Sequence, residues 1–117
     1  MFYQNMPLYL KLVNLLKCEY VIVHNMSKEY KFSLGQDIVN RTWRILDLFM
    51  AAQSKNSVKC KDGKAEVVRL IDLEFESLKL RIRFLTELKL ISLGQSAQLS
   101  KDILEIGKMI GSWLKNV

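Results

Sequence analysis

The chain carries little of what most catalysts, metalloproteins and membrane proteins need. It has one histidine, His24. A lone imidazole excludes most acid–base networks, and no nucleophile lies near it, so it reads as a helix-end residue. Cys18 and Cys60 are the two cysteines. They form neither a disulfide framework nor a metal set. Cys18 reads as a core residue, and Cys60 falls in a lysine-rich loop. There is one proline, Pro7. No apolar run reaches the ~18 uncharged residues of a membrane helix. The N-terminus lacks a basic region, a long apolar core and a small-residue cleavage site, so it does not read as a secretory signal, and a cytoplasmic location is the default. No phosphate-binding loop, zinc-binding H-x-x-x-H or nucleophile elbow is present. Asp72 and Glu76 form an i, i+4 carboxylate pair, but Arg69 and Lys79 share their face. That is a solvated ion-pair face rather than an acid–base site. The reading is a binding or assembly protein with no catalytic residues, no cofactor and no metal.

What is present is apolar and basic. Half of the 117 residues are hydrophobic, enough for one domain with a real core. A chain this short and apolar packs tightly or hides surface in an oligomer. Eighteen Lys and Arg against twelve acids give a net charge of +6. That excess favours a polyanion or an acidic protein surface.

The stretch from Lys64 to Ile91 organises the rest. It holds no Gly or Pro. Val68, Ile71, Phe75, Leu78, Ile82 and Leu85 recur at spacings of three and four, a heptad stripe. A second stripe runs through Leu70, Leu73, Leu80, Phe84, Leu88 and Ile91. At about 100° per residue the two cover roughly 220° of the helix, against the ~100° a surface helix needs. One face fits the helix's own subunit and the other a partner chain. A central helix in a compact monomer is the plainer alternative. Glu74 and Arg81 sit on the seam, where Arg81 suits an ion pair with Glu74 or with a neighbouring subunit.

The other segments read as helices too. Pro7 opens the first, to about His24, with Leu8, Leu12, Leu15, Leu16, Tyr20 and Val23 at helical spacing. Asn25 to Phe32 is a polar connection. Ser33-Leu34-Gly35-Gln36 fits a capping box, in which the Ser oxygen takes an amide and Gln36 reaches back. The second helix follows over about 34–54. Residues 54–63 read as a loop ending in the turn pair Asp62-Gly63. The third helix spans about 63–91. Ser92-Leu93-Gly94-Gln95 repeats the capping tetrad and opens the fourth helix, about 93–116. Gly107 and Gly111 clear a patch there, which predicts a close neighbouring helix and overpacking by Gly111→Leu. Short connections favour antiparallel neighbours. The fold class is therefore all-α, an up-down-up-down antiparallel four-helix bundle in a single domain over 1–117.

Several strings carry a family resemblance. They are Ser33-Leu34-Gly35-Gln36-Asp37-Ile38, the Leu80-Arg81-Ile82-Arg83-Phe84-Leu85 run with Leu88, Ile91-Ser92-Leu93, and Glu105-Ile106-Gly107-Lys108-Met109-Ile110-Gly111-Ser112-Trp113-Leu114-Lys115. The chain resembles the accessory variability determinant (Avd) proteins of diversity-generating retroelements. These belong with the four-helix bundle proteins encoded in intervening sequences of bacterial 23S ribosomal RNA genes. The resemblance covers the last three helices; the first matches in character only, and the 54–63 loop has no counterpart. It implies a homopentameric barrel, a basic surface, no catalysis, nucleic-acid binding, and association with a reverse transcriptase and its template RNA during mutagenic retrohoming. A protein-only scaffold and an intervening-sequence bundle without a polymerase are the alternatives.

For phosphate contact the expected residues are Arg41 and Arg44 on the second helix and Lys79 and Arg83 on the third. Arginine on a rigid helix suits bidentate phosphate contact. Lys55, Lys59, Lys61 and Lys64 are auxiliary, because ordering a loop costs entropy. A lysine cluster in a loop is by itself only a solvated segment.

Overall fold

In a computed structural model of the chain, residues 7–54 and 63–117 are described. Helix α1 spans Pro7–His24. A short helix α2, Lys28–Tyr30, runs through a π-helical turn, Lys31–Gly35, into α3, Gln36–Gln53. Helices α4, Lys64–Glu87, and α5, Leu93–Lys115, complete the order, and no strand occurs among the described residues. The four long helices form a rod 48 Å long and 24 Å across. Each packs on its sequence neighbour and α1 closes on α5, so the architecture is a four-helix bundle.

The core is the meeting of one stripe from each helix. Leu12 and Leu15 of α1, Ile38, Ile45 and Phe49 of α3, and Leu99, Ile106 and Ile110 of α5 are all buried. The heptad residues of α4, Val68 to Leu85, complete it, none more than 8% exposed. Near one end Phe49 stacks edge-on against Trp113, 5.5 Å between centroids.

Four expectations need correction. First, Ser33 caps nothing. Helical structure already begins at Ser27, whose carbonyl accepts from Tyr30 and Lys31 at 3.1 and 2.9 Å. Ser33 therefore enters inside a helix, where its hydroxyl donates to the Glu29 carbonyl at 3.1 Å, and Gln36 turns forward to Asn40 at 3.0 Å. The packing reason is Gly35. An added Cβ there would stand 3.1 Å from Met26 Sδ and from Val23 Cγ1, so this turn lies hard against the end of α1. Second, the Asn25–Phe32 connection is largely helical, for the same reason. Third, α4 ends at Glu87, four residues before Ile91. Lys89 takes a left-handed φ of 58°. Its amide bonds the Thr86 carbonyl at 3.0 Å and the Leu90 amide bonds Leu85 at 2.9 Å, a Schellman closure. The closure folds Leu90 and Ile91 back onto the core. Fourth, Gly111 is exposed with no atom within 4 Å of an added Cβ, and Gly107 meets Phe75 at an ordinary 3.5 Å. Within the subunit Gly111→Leu has nothing to overpack.

Ser92 does cap. Its hydroxyl accepts from the Gln95 amide at 3.1 Å and its amide donates to Gln95 Oε1 at 3.0 Å. Gly63, the N-cap of α4, has φ 84°, as the turn pair requires.

Candidate interaction surfaces

Helix α4 leaves a second apolar face uncovered. Leu73 is 67% exposed, Leu70 and Leu80 49%, and Phe84 and Leu88 44%. Residues 70 to 88 span roughly 27 Å at 1.5 Å per residue. These are five of the six residues of the second stripe; Ile91, beyond the helix end, is half-buried. On α3, Trp43 and Met50 are also half exposed, and the Trp43 indole donates to the Tyr20 hydroxyl at 2.9 Å.

One edge of this face is an ion-pair network between α3 and α4. Asp37 Oδ2 accepts from Arg41 Nε at 3.0 Å and Arg81 Nε at 2.5 Å. Glu74 accepts from Arg41 Nη1 at 2.8 Å and pairs with Arg44 at 3.4 Å. Arg81 also donates to Ser77 Oγ at 2.8 Å. Partial burial pulls the Asp37 carboxyl up, but the bonds from Arg41 and Arg81 outweigh it and hold it below its ordinary range. Burial likewise opposes charge on Arg41, yet Asp37 and Glu74 raise its pKa. The Arg81 partner is thus Asp37 rather than Glu74.

The other edge is a trough of about 650 Å³ between α4 and α5. Phe75, Ile82, Leu99, Ile103 and Leu104 line it, with Lys79, Arg83 and Lys108. Lys79 is held by Glu76 at 2.8 Å and stands 5.5 Å from the centre of the Phe75 ring. Arg83 has no hydrogen bond or ion pair among the described residues.

The expected phosphate-binding residues therefore do not form one patch. Arg41 and Arg44 gather around Glu74; Lys79 and Arg83 line the trough. The exposed stripe of α4 lies between the two groups, at about 100° per residue. Arg44 keeps 71% of its side chain exposed and Arg41 only 26%. Lys64 lines a separate cavity of about 550 Å³ with Phe49 and Trp113. Lys55, Lys59, Lys61 and Cys60 lie outside the described residues. His24 ends α1 as expected, and Cys18 is a free thiol packed against the core, its pKa raised first by burial.

One buried polar pair escaped the sequence reading. Glu19 is 1% exposed and Thr42 fully buried. The Thr42 hydroxyl donates to Glu19 Oε2 at 2.8 Å, while Oε1 has no partner. Burial pushes this carboxyl up to about 8, and the Thr42 bond pulls it back only partly. The signal was present: Leu12, Leu15, Glu19 and Ile22 continue one inward stripe.

Among the described residues no group of His, Cys, Asp and Glu could hold a metal, and no helix is long and apolar enough to cross a membrane. No curated protein and no solved structure matches the chain. A family model described as bAvd-like matches residues 8–117, including the first helix, which on sequence matched in character only. With nearly the whole chain covered and a four-helix bundle observed, the protein belongs to the bAvd-like family and is an Avd-like (accessory variability determinant) protein.

Proposed function

We propose that this protein is a non-catalytic, cytoplasmic accessory subunit of a diversity-generating retroelement. It assembles with copies of itself, five-fold by family resemblance, and associates with a reverse transcriptase and its template RNA during mutagenic retrohoming. The observation that carries the reading is the outer face of α4, five large apolar side chains left in water on a helix whose inner face already fills the core. Contiguous exposed apolar surface of this kind marks a protein contact. Family membership supports the polymerase as partner.

Phosphate contact falls first to Arg44, most of whose side chain is exposed. Lys55, Lys59, Lys61 and Lys64 keep the auxiliary role that the sequence gives them. Arg41 is committed to Asp37 and Glu74. Lys79 and Arg83 stand over an apolar trough, which sets them apart from the rest. Gel shifts of the isolated protein with structured RNA test this half of the reading. Affinity should fall steeply with salt, as counterion release requires, and weaken in Arg44→Ala. Binding indifferent to salt would contradict it, and no shift at all would favour a scaffold that binds only protein. If Lys59→Ala with Lys61→Ala weakens binding and Arg44→Ala does not, the loop is the site.

A further inference from the structure

The trough between α4 and α5 has a shape and a charge that the outer face of α4 lacks. The Thr86 and Ser96 hydroxyls meet at 2.8 Å at one end. Gly107 approaches Phe75 at the other. From residue 72 to residue 86 the α4 wall runs about 21 Å. Phe75, Ile82 and Leu99 form a buried floor, and Leu104, 60% exposed, forms the opposite lip. Gly107 leaves the α5 wall without a side chain, so another backbone can come close.

Lys79, Arg83 and Lys108 line this trough with Asp72 and Glu76, so its cations outnumber its carboxylates. Arg41, Arg44, Arg69 and Arg81 each have a carboxylate partner. Arg83 is the one arginine among the described residues with none. Lys79, its neighbour on the wall, is already held by Glu76. A ligand that matches the site is apolar along one side and brings a carboxylate to Arg83.

We infer that the α4–α5 trough docks an amphipathic helix of a partner protein, with an acidic side chain of that helix pairing with Arg83. A helix laid in a groove presents anchors at i, i+3, i+4 and i+7, which fits an apolar floor several turns long. Arginine suits a bidentate carboxylate contact. Nucleic acid would meet Arg83 equally well but leaves the apolar floor unused. The inference rests on the protein-partner half of the proposed function and is independent of the RNA half.

The test uses the full chain and two fluorescein-labelled helical peptides of about 18 residues, roughly 27 Å long. Both carry a leucine stripe, flanked by glutamates in one and lysines in the other. The glutamate peptide should saturate in fluorescence polarisation, and the lysine peptide should bind about tenfold more weakly. Arg83→Glu should abolish that preference. Gly107→Leu and Leu104→Glu should each lower affinity for the glutamate peptide about tenfold. Leu73→Glu, on the outer face, should leave it unchanged. If Gly107→Leu fails to fold by circular dichroism, the exposed Leu104→Glu decides. Equal binding of the two peptides, insensitivity to Leu104→Glu, loss in Leu73→Glu, or displacement by single-stranded RNA would each overturn the inference. RNA displacement would assign the trough to nucleic acid. Failure of the RNA gel shift leaves the peptide result intact, so the two readings fail separately.

Discussion

The two apolar faces of α4 look alike in sequence and differ completely in the fold. Six residues spaced as a heptad line the inner face, and all are buried by α1, α3 and α5. On the outer face, five residues of the same character stay between 44% and 67% exposed. Composition does not separate the faces; packing does, and an ion-pair network marks the edge between them. Asp37, Arg41, Glu74 and Arg81 join α3 to α4 along that edge. Exposed apolar residues occur on other helices too, Trp43 and Met50 on α3 and Leu104 on α5 among them, but α4 carries a whole stripe of them opposite a stripe that is buried.

Substitution across the two faces should show the sharpest contrast. Phe75→Ala, in the core, should cost about 3–5 kcal/mol by urea unfolding. Leu73→Ala, outside, should change the stability of the isolated subunit by no more than ~0.5 kcal/mol. Equal costs would mean that the outer face is also packed in the subunit.

The inner face contains a further weak point at Glu19. Its carboxyl titrates at about 8 in the folded chain, against an ordinary 4.5. Between those values the folded state holds a proton that the unfolded chain has released. Stability is therefore full below the ordinary value and falls as pH rises through about 8. A tenfold change in proton affinity corresponds to about 1.4 kcal/mol, so the loss should reach a few kcal/mol. Glu19→Gln should flatten this decline between pH 5 and 9 in thermal melts. An unchanged slope would show that Glu19 does not titrate in this range.

A smaller contrast lies between the two Ser-Leu-Gly-Gln tetrads. Ser92→Ala should cost about 1 kcal/mol, since it removes the hydroxyl that accepts from the Gln95 amide and leaves only the half made by the Ser92 backbone amide. Ser33→Ala should cost no more than ~0.5 kcal/mol, because that hydroxyl only doubles bonds to carbonyls within a helix. Chemical denaturation of the two variants compares them directly. Similar costs would mean that the first tetrad also acts as a cap.

These tetrads show what the sequence made legible and what it withheld. The four long helices follow from hydrophobic period, with Pro7 and His24 bounding α1 as expected and both stripes of α4 in place. The Ser33 cap failed because a cap depends on where the helix begins. That start moved upstream once Gly35 packed against Val23 and Met26, a tertiary contact absent from any local pattern. The α4 terminus failed similarly: Leu90 and Ile91 keep the apolar content of a helix while Lys89 breaks its dihedral angles. At the surfaces, the sequence marked Arg41, Arg44, Lys79 and Arg83 as cations on helices. It could not show that the first two gather around one glutamate while the last stands over a trough, because both depend on which helices become neighbours. Glu19 was readable from its spacing, and only its charge disguised it.

If the outer face of α4 is a contact between protein chains, the mass of the particle in solution must show it. Light scattering after gel filtration at micromolar concentration gives that mass, with the parent chain beside a Leu73→Glu, Phe84→Glu double variant. The parent should run at a multiple of 13.6 kDa, and the variant as a folded 13.6 kDa monomer. A parent that elutes at 13.6 kDa, or a folded variant that keeps the parent's mass, would contradict the assignment of this face.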